Sequence, residues 1–144
     1  MNKILLIITG SIAASRCKEI IALLNINEVK ISCILTKEAK KYVKISDIKK
    51  LLKNRIFTDE DEKKNKMLHI NLSRDNDIIV MCPATANSIA KFANGYGDNL
   101  ASNTLLASNK KILFVPAMNS FMWHNKINQK NVRLLKDSGH EFIG

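Results

Sequence analysis

The sequence is poor in the residues that mark disulfide-stapled, collagen-like or low-complexity proteins. Its 144 residues include 3 cysteines, 2 prolines and 5 glycines, and only 6% are aromatic. The cysteines are odd in number, widely spaced and without a CxxC pair, which argues against a disulfide framework and favours a reducing cytosol. Cysteines and histidines do not cluster at zinc-ligand spacing, so we expect no metal site.

Long hydrophobic runs are also lacking. Ile4–Ile8 and Ile78–Cys82 are far shorter than the roughly 20 residues that a membrane-spanning helix needs. The first residues lead into a short apolar run without a cleavage site, so we expect no signal peptide. Apolar residues still make up 46%, which excludes a disordered chain. The length predicts one domain over residues 1–144. The cysteine usage and the lack of a secretory signal lead us to expect a cytoplasmic protein.

Acidic residues are scarce relative to basic ones. Lys and Arg number 23 against 13 Asp and Glu, which gives a net charge of +10. Such a charge can indicate nucleic-acid or membrane binding. The lysines are spread along the chain beside plentiful Ile and Asn, as in a biased genome, and no aromatic-interleaved basic pattern occurs. We interpret the charge mainly as background, with nucleic-acid binding as a minor alternative.

Buried strands alternate with helical segments along the sequence. Lys3–Thr9 (KILLIIT) is a continuous aliphatic run, typical of a strand that is buried on both faces of a parallel sheet. The other predicted strands are Val29–Thr36, Asp77–Cys82, Lys111–Val115 and Glu141–Ile143. The predicted helices are Ile12–Leu24, Glu38–Val43, Ser46–Leu52, Met67–Arg74, Thr85–Ala93, Leu100–Ala107 and Asn128–Asp137. This alternation predicts a doubly wound α/β sheet.

Individual residues also predict where helices begin and end and which face of a helix is buried. Ser46 and Thr85 are expected N-caps, and Gly139 is expected to close the last helix. The charged segment Thr58–Lys66 contains no apolar residue and is predicted to be an exposed loop. Helical spacing predicts a shared face for four residues of the first helix: Ile12, Ile20, Leu23 and Leu24.

The loops after the strands are the candidate site. In open parallel sheets, ligands bind outside the carboxyl ends of the strands. Three loops should therefore converge, namely Thr9–Ala14, Pro83–Ser88 and Pro116–Trp123. The first has the glycine, hydroxyl and small side chains that suit a phosphate, although neither GxGxxG nor a P-loop is present. A glycine that eases a tight turn is the alternative interpretation of Gly10.

Amide and hydroxyl side chains recur at this edge. Asn87 and Asn119 each follow a strand-ending proline, and they offer both donors and acceptors. Thr36 adds a hydroxyl at the end of the second strand. The single tryptophan, Trp123, is interpreted as a core residue.

Motifs in these loops resemble those of a known family. PAMNSFMW at Pro116–Trp123 is similar to PAMNxxMW, PATANSIAKFANG at Pro83–Gly95 to PASANTxAKxAxG, and TGSIAA at Thr9–Ala14 to TGSIAAYK. LTKEAKKYV at Leu35–Val43 resembles TxxAxxFV, and LHINL around His69 resembles HIxL. These are motifs of the flavin-containing cysteine decarboxylases, and they occur in order along nearly the whole chain. The PAMN version favours the phosphopantothenoylcysteine branch.

The resemblance implies a flavodoxin-like Rossmann fold, a three-layer α/β/α sandwich with a parallel sheet, that binds FMN. It implies decarboxylation of a cysteine-derived carboxylate, 4′-phospho-N-pantothenoylcysteine in coenzyme A synthesis, by a homotrimer or a larger assembly up to a homododecamer. The implied catalytic residues are His69, as the base, and Asn119, which binds the substrate carboxylate. The implied FMN-binding residues are Gly10, Ser11, Ile12, Thr36, Ala84, Thr85, Asn87, Ser88 and Met118.

The implied chemistry suits these residue types. A cysteine carboxylate loses CO₂ slowly because the carbanion has no electron sink. Hydride transfer from Cβ to flavin, with loss of the thiol proton to a base, gives a thioaldehyde that accepts the electrons when CO₂ leaves. Histidine titrates near neutral pH and suits the base, and asparagine orients a carboxylate without strong ground-state charge pairing. Without the resemblance, His69 is an ordinary surface histidine, and we keep that interpretation for His124 and His140.

The sequence departs from the family pattern in two places. The usual GxADDLL is Gly95–Leu100 here, with Asn99 replacing the second acid. A glycine-rich GxGRM clamp with a cysteine, which helps the final reduction, follows the last strand in the family and is not among these 144 residues. We therefore expect oxidation and decarboxylation with weak final reduction. The alternative is a non-catalytic FMN-binding protein, or a subunit of a split decarboxylase.

Overall fold

The computed structural model describes residues 2–53 and 55–144, and their strands form a single parallel sheet. The strands are β1 (Lys3–Ile8), β2 (Lys30–Leu35), β3 (Ile56–Phe57), β4 (Ile78–Ala84), β5 (Ile112–Pro116) and β6 (Glu141–Phe142). Their order is β3-β2-β1-β4-β5-β6, and each neighbouring pair is parallel. Without the two-residue β3, the order of the remaining strands is that of flavodoxin. The predicted fold class is confirmed.

Helices pack on both faces of the sheet. They are α1 (Cys17–Ile26), α2 (Ile45–Leu52), α3 (Asp59–Lys64), α4 (Leu68–Asp75), α5 (Ala86–Ala93), α6 (Leu100–Ala107), α7 (Ser120–His124) and α8 (Lys126–Asp137). Two 3₁₀ segments, Ile12–Arg16 and Glu38–Lys41, follow β1 and β2. Within residues 2–53 and 55–144, no helix is long and apolar enough to cross a membrane.

The sheet separates two hydrophobic cores. Along β1, Leu5 and Ile7 point into the core beneath α4, α5, α6 and α8, while Leu6 and Ile8 point into the core beneath α1 and α2. These four side chains are at most 2% exposed. The continuous aliphatic run of β1 is therefore the consequence of burial on both faces.

The predicted face of the first helix is wrong. A 3₁₀ segment occupies the first residues, so α1 begins only at Cys17 and its phase differs from that of one continuous helix. Cys17 and Ile21 are buried, whereas Ile12 is 79% exposed and Leu23 is 62% exposed. The predicted N-cap at Ser46 is also wrong, because α2 begins one residue earlier and Lys44 precedes it.

The segment predicted as an exposed loop contains a helix. α3 is fixed at its start by a capping box, in which the backbone N–H of Thr58 donates to Asp61 Oδ2 at 2.8 Å. No side chain of α3 is buried, so this helix has no hydrophobic periodicity from which it could be predicted. Two other predictions are confirmed: Thr85 caps α5, and Gly139 follows α8 with a φ of +99°.

His140 anchors β6 against the aromatic part of the core. Its ring centroid lies 5.3 Å from that of Phe92 and 6.2 Å from that of Phe114. Its Nδ1 atom accepts a hydrogen bond from the backbone N–H of Ile112 at 3.0 Å. Burial lowers the pKa of His140 below its ordinary value of 6.5, since a charged imidazole would be desolvated here and would lose the acceptor.

We expect this histidine to make stability fall with acidification. Because the folded-state pKa is lowered, the unfolded chain binds the proton more readily, and stability present above pH 6.5 is lost as the pH falls through the lower, folded-state value. Urea unfolding between pH 8 and pH 5 should show a shallower pH dependence for His140→Asn than for the unaltered protein. His124→Asn, at an exposed position, is the control. Equal pH slopes for all three proteins would contradict the assignment.

Candidate functional site

A cleft lies beyond the carboxyl ends of β1 and β4, where the strand order reverses direction. Its cavity volume is about 160 Å³. The apolar part of its wall consists of Met81, Phe92, Ala101 and Leu105. The polar part consists of Thr9, Thr36, Thr85, Asn87, Ser88 and Lys91, together with Gly10, Glu38, Asn99 and Ser102. This mixture suits a ligand with one flat apolar portion and one rich in oxygen.

Backbone contacts draw the predicted loops together. The Thr9 hydroxyl donates to the carbonyl of Pro83, which ties the loop after β1 to the end of β4. The backbone N–H of Ala117 donates to the carbonyl of Ala84 at 3.0 Å, which ties the loop after β5 to the same point. The predicted convergence of these loops is confirmed. Ala84 itself is fully buried and does not line the cleft.

Gly10 is required by a close approach between two segments. A Cβ atom at this position would lie 2.4 Å from the Cβ of Glu38 and 3.1 Å from its carbonyl carbon. Since one contact is to backbone, the clash could not be relieved by a side-chain rotation. Ser11 next to it caps the 3₁₀ segment by accepting from the backbone N–H of Ala13 at 3.2 Å. Ile12 points outward and does not line the cleft.

The loop after β4 presents an ordered set of hydroxyls. Thr85 Oγ1 accepts from the backbone N–H of Ser88 at 3.1 Å, and the two hydroxyl oxygens lie 2.8 Å apart. This N-cap places both hydroxyls, with the exposed Asn87 between them, at the start of α5. The positive end of the α5 dipole and these donors favour an anionic or oxygen-rich group.

The loop after β5 positions Asn119 as the N-cap of α7. Asn119 Oδ1 accepts from the backbone N–H of Met122 at 2.9 Å, which leaves its Nδ2 atom available as a donor. Met118 packs against the core, and its sulfur accepts from Asn128 Nδ2 at 3.3 Å. Trp123 is half-buried against the same core, in line with its interpretation as a core residue.

His69 lies outside the cleft, on the first turn of α4. Its Nδ1 atom is 3.9 Å from Glu62 Oε2, and its side chain is 28% exposed. Neither His69 nor Asn119 lines the cleft. The structure therefore brings one group of the predicted residues into the cleft and leaves the others beside it. Those in the cleft are Gly10, Thr36, Thr85, Asn87 and Ser88.

Several residues at the cleft were missed by sequence reasoning. Lys91 follows Asn87 by about one turn of α5, and its Nζ atom donates to Asp98 Oδ2 at 3.0 Å. This bond holds the pKa of Asp98 below its ordinary value. Asn99 caps α6 by accepting from the backbone N–H of Ser102 at 2.8 Å. Asn and Asp cap helices about equally well, so Asn99 keeps the cap and removes one charge.

The three cysteines are free thiols with different environments. Cys82 directly precedes the Pro83 loop and is half-buried, whereas Cys17 and Cys33 are buried. Cys17 donates to the carbonyl of Cys82 at 3.2 Å. The neighbouring Cys17 thiol lowers the pKa of Cys82 below its ordinary value. Burial raises the pKa of Cys33, and the Cys82 contact together with burial raises that of Cys17.

A parallel sheet with a mixed polar and apolar cleft at its switch point defines a doubly wound α/β ligand-binding protein. The chain belongs to the Flavoprotein family, whose model matches residues 1–144.

Similar proteins include a probable phosphopantothenoylcysteine decarboxylase from Streptococcus mutans, 32% identical over 146 residues, with 99% of this chain and 82% of the relative covered. Among solved structures, the FMN-dependent cysteine decarboxylase SpaF matches with a TM-score of 0.92 and 29% identity, covering 99% of this chain and 83% of that one. A PPC decarboxylase variant complexed with pantothenoylaminoethenethiol matches with a TM-score of 0.86 and 28% identity, covering 99% and 81%.

We expect Cys82 to be the thiol that is alkylated first. It is less buried than the other two cysteines, and its pKa is lowered where theirs are raised, so it forms the reactive thiolate at lower pH than they do. Limited iodoacetamide treatment at pH 7.5, followed by peptide mass spectrometry, should modify Cys82 at least about tenfold faster than Cys33. In Cys17→Ala, the onset of alkylation should move to higher pH. Equal rates at Cys82 and Cys33 in the folded protein would contradict this ranking.

Proposed function

We propose that this chain binds FMN and catalyses the decarboxylation of a cysteine-derived carboxylate, with 4′-phospho-N-pantothenoylcysteine as the substrate. The observation that carries the proposal is the cleft itself, in which an apolar wall faces a row of hydroxyl and amide donors in a chain of the Flavoprotein family. The names of the S. mutans relative and of SpaF support the reaction and the cofactor. The ligand named with the PPC decarboxylase variant, an enethiol, supports the pantothenoyl substrate.

The residues of the cleft fit a flavin mononucleotide. An isoalloxazine ring needs a flat apolar surface, which Met81, Phe92 and Leu105 offer. A ribityl phosphate needs hydroxyl, amide and cationic donors, which Thr36, Ser88 and the neighbouring side chains offer. A cavity of about 160 Å³ encloses part of such a ligand, and the remainder would lie along the open edge.

We assign the binding roles by position at the sheet edge. Gly10 and Thr36 would hold the phosphate and ribityl chain within the cleft, with the backbone of Ser11 and Ile12 at its open edge, since these residues follow β1 and β2. The proposed neighbours of the ring are Ala84, Thr85, Asn87 and Met118, with Ser88 nearer the phosphate end. Bound FMN would supply the hydride acceptor that oxidises the substrate at Cβ.

The chain's own residues would hold and move the remaining groups. Asn119 would donate from Nδ2 to the substrate carboxylate, because its Oδ1 atom is engaged in capping α7. His69 would take the thiol proton at Nε2, because its Nδ1 atom is buried. Loss of that proton lets the oxidised carbon–sulfur unit accept the electron pair released with CO₂.

We further propose that the chain assembles as a homotrimer or a larger homo-oligomer up to a homododecamer, and acts in the cytoplasm as one domain over residues 1–144. Large apolar side chains near the loops after β1 and β5 are exposed, with Phe121 89% and Ile127 72% accessible. Such a patch favours burial against another subunit. Asn119, which lies outside the cleft of a single chain, caps the helix that carries Phe121.

The first experiment tests flavin binding and turnover separately. The purified protein should show flavin absorbance, and incubation with 4′-phosphopantothenoylcysteine should release CO₂, with products resolved by mass spectrometry. His69→Ala and Asn119→Ala should keep the flavin and lower kcat by about 10²-fold or more. His124→Ala, at an exposed position, is the control.

Its outcomes separate the alternatives. A protein that cannot be reconstituted with FMN contradicts the proposal entirely. A yellow protein without turnover indicates the non-catalytic flavin-binding alternative. Retention on DNA or RNA at physiological salt would instead support nucleic-acid binding through the net charge of +10. The mass of the product also reports whether the enethiol is reduced to the thiol.

The second experiment tests assembly. Phe121→Lys places a charge in the exposed apolar patch and should shift the mass measured by light scattering toward the single-chain value. Ile26→Lys changes a residue that is similarly exposed, at 78%, but lies at the far end of α1 and should leave the mass unchanged. Identical masses for the unaltered protein and Phe121→Lys would exclude this patch from the interface.

A further inference from the structure

The base assigned to His69 has an unsatisfied atom beside a carboxylate. Within residues 2–53 and 55–144, His69 Nδ1 is a buried side-chain atom without a hydrogen-bond partner. Glu62 Oε2 lies 3.9 Å from it, about 1 Å beyond a direct hydrogen bond. Both side chains are half-buried, with 28% of His69 and 22% of Glu62 exposed. A small torsional change in either side chain would close the contact.

Glu62 is held in place from the opposite side. Asn103 Nδ2 on α6 donates to the same Oε2 atom of Glu62 at 2.9 Å. Asp59, three residues earlier on the same face of α3, accepts from the backbone N–H of Leu100 at 3.0 Å. α3 is therefore fixed to α6 through two carboxylates, and Glu62 is directed toward α4.

Gly97 leaves space for the side chain of Asn103, which in turn holds Glu62. A Cβ atom at Gly97 would lie 2.5 Å from Asn103 Oδ1. Any side chain here would displace the amide that holds Glu62. The close approach at Gly97 and the hydrogen bond from Asn103 together hold Glu62 Oε2 at 3.9 Å from His69 Nδ1.

We propose that Glu62 is a positioning residue for His69: its carboxylate accepts the Nδ1–H of the imidazole and leaves Nε2 as the proton acceptor. The inference rests on the proposed function, which takes His69 as the base. In the reaction, the proton leaves the substrate sulfur and arrives at Nε2, while Glu62 stays ionised and stabilises the imidazolium. Hydrogen bonds of this kind are often long in the absence of substrate and tighten when it binds.

The tautomer of His69 tests the contact without any catalytic assay. Long-range ¹H–¹⁵N spectra of the histidine-labelled protein at about pH 8.5, where imidazoles are neutral, distinguish the two tautomers. His69 should carry its proton on Nδ1. His140 provides an internal contrast, because its Nδ1 atom accepts from Ile112 and its proton must be on Nε2. Glu62→Ala should move His69 toward the Nε2–H form and leave His140 unchanged.

Kinetics test the role of the charge. Glu62→Gln keeps an acceptor for both Asn103 and His69 and removes only the negative charge, so the tautomer should persist while kcat falls about 10- to 100-fold with little change in KM. Glu60→Gln alters a carboxylate on the same helix that pairs with Lys63 at the surface, and should leave kcat unchanged. If Glu62→Ala fails to fold, Glu62→Gln still tests the role of the Glu62 charge.

The outcomes distinguish this inference from the proposed function. A protein with turnover whose His69 proton is on Nε2, or whose kcat is unchanged in Glu62→Gln, overturns the role of Glu62 and leaves the proposed function standing. A protein without turnover whose His69 proton moves off Nδ1 in Glu62→Ala contradicts the proposed function and still supports the orientation of His69 by Glu62.

Discussion

The pairing of β1 with both β2 and β4 is the constraint on which the other features depend. Ile4 of β1 lies opposite Ile31 on one side and Ile78 on the other, so both backbone edges of this strand are hydrogen-bonded. Because both neighbours are parallel to β1, the chain first crosses from β1 to β2 on one side. It must later cross back past β1 to form β4 on the other side. The connections diverge at that point, and the cleft opens between them. Burial on both faces requires β1 to be aliphatic, and polar groups can begin only where the strand ends, at Thr9.

The sequence predicted best what local pattern determines. Lys3–Thr9 and the other aliphatic runs identified the central strands, because burial on both faces leaves no polar positions in them. It failed where the phase of an element depends on its first residue: in α1, the 3₁₀ segment shifts the buried face from Ile12 to Cys17 and Ile21. The hydroxyls and glycine of the cleft could be placed by strand ends alone. Asn119 could be singled out by its position after the proline that ends β5, but its role came only from the resemblance. His69 could be singled out only through the resemblance, since no strand end lies next to it.

The failure at α3 has a different cause, and it bears on the site. α3 has no buried side chain, and its contacts with α6 are made by Asp59 and Glu62 to groups 41 residues away in sequence. Polar tertiary contacts of this kind produce no hydrophobic periodicity in the sequence. A charged segment that packs against the fold therefore has the same sequence pattern as one that stays in solvent. Residues that act through another side chain, as we infer for Glu62, fall in this class. They become visible only when distances are known.

Three of the few acidic residues lie near the start of α6. Of the 13 acidic residues, Asp59, Glu62 and Asp98 lie around the start of α6, where the helix dipole favours negative charge. Asp59 already binds the first backbone N–H of α6, and Asp98 already pairs with Lys91. A further carboxylate at position 99 would place like charges side by side, at a cost of about 0.2–0.5 kcal/mol. Asn99 avoids that repulsion while keeping the cap. These three acids therefore help to position α3 and α6, and the net charge of +10 favours the approach of an anionic ligand within a Debye length of about 8 Å.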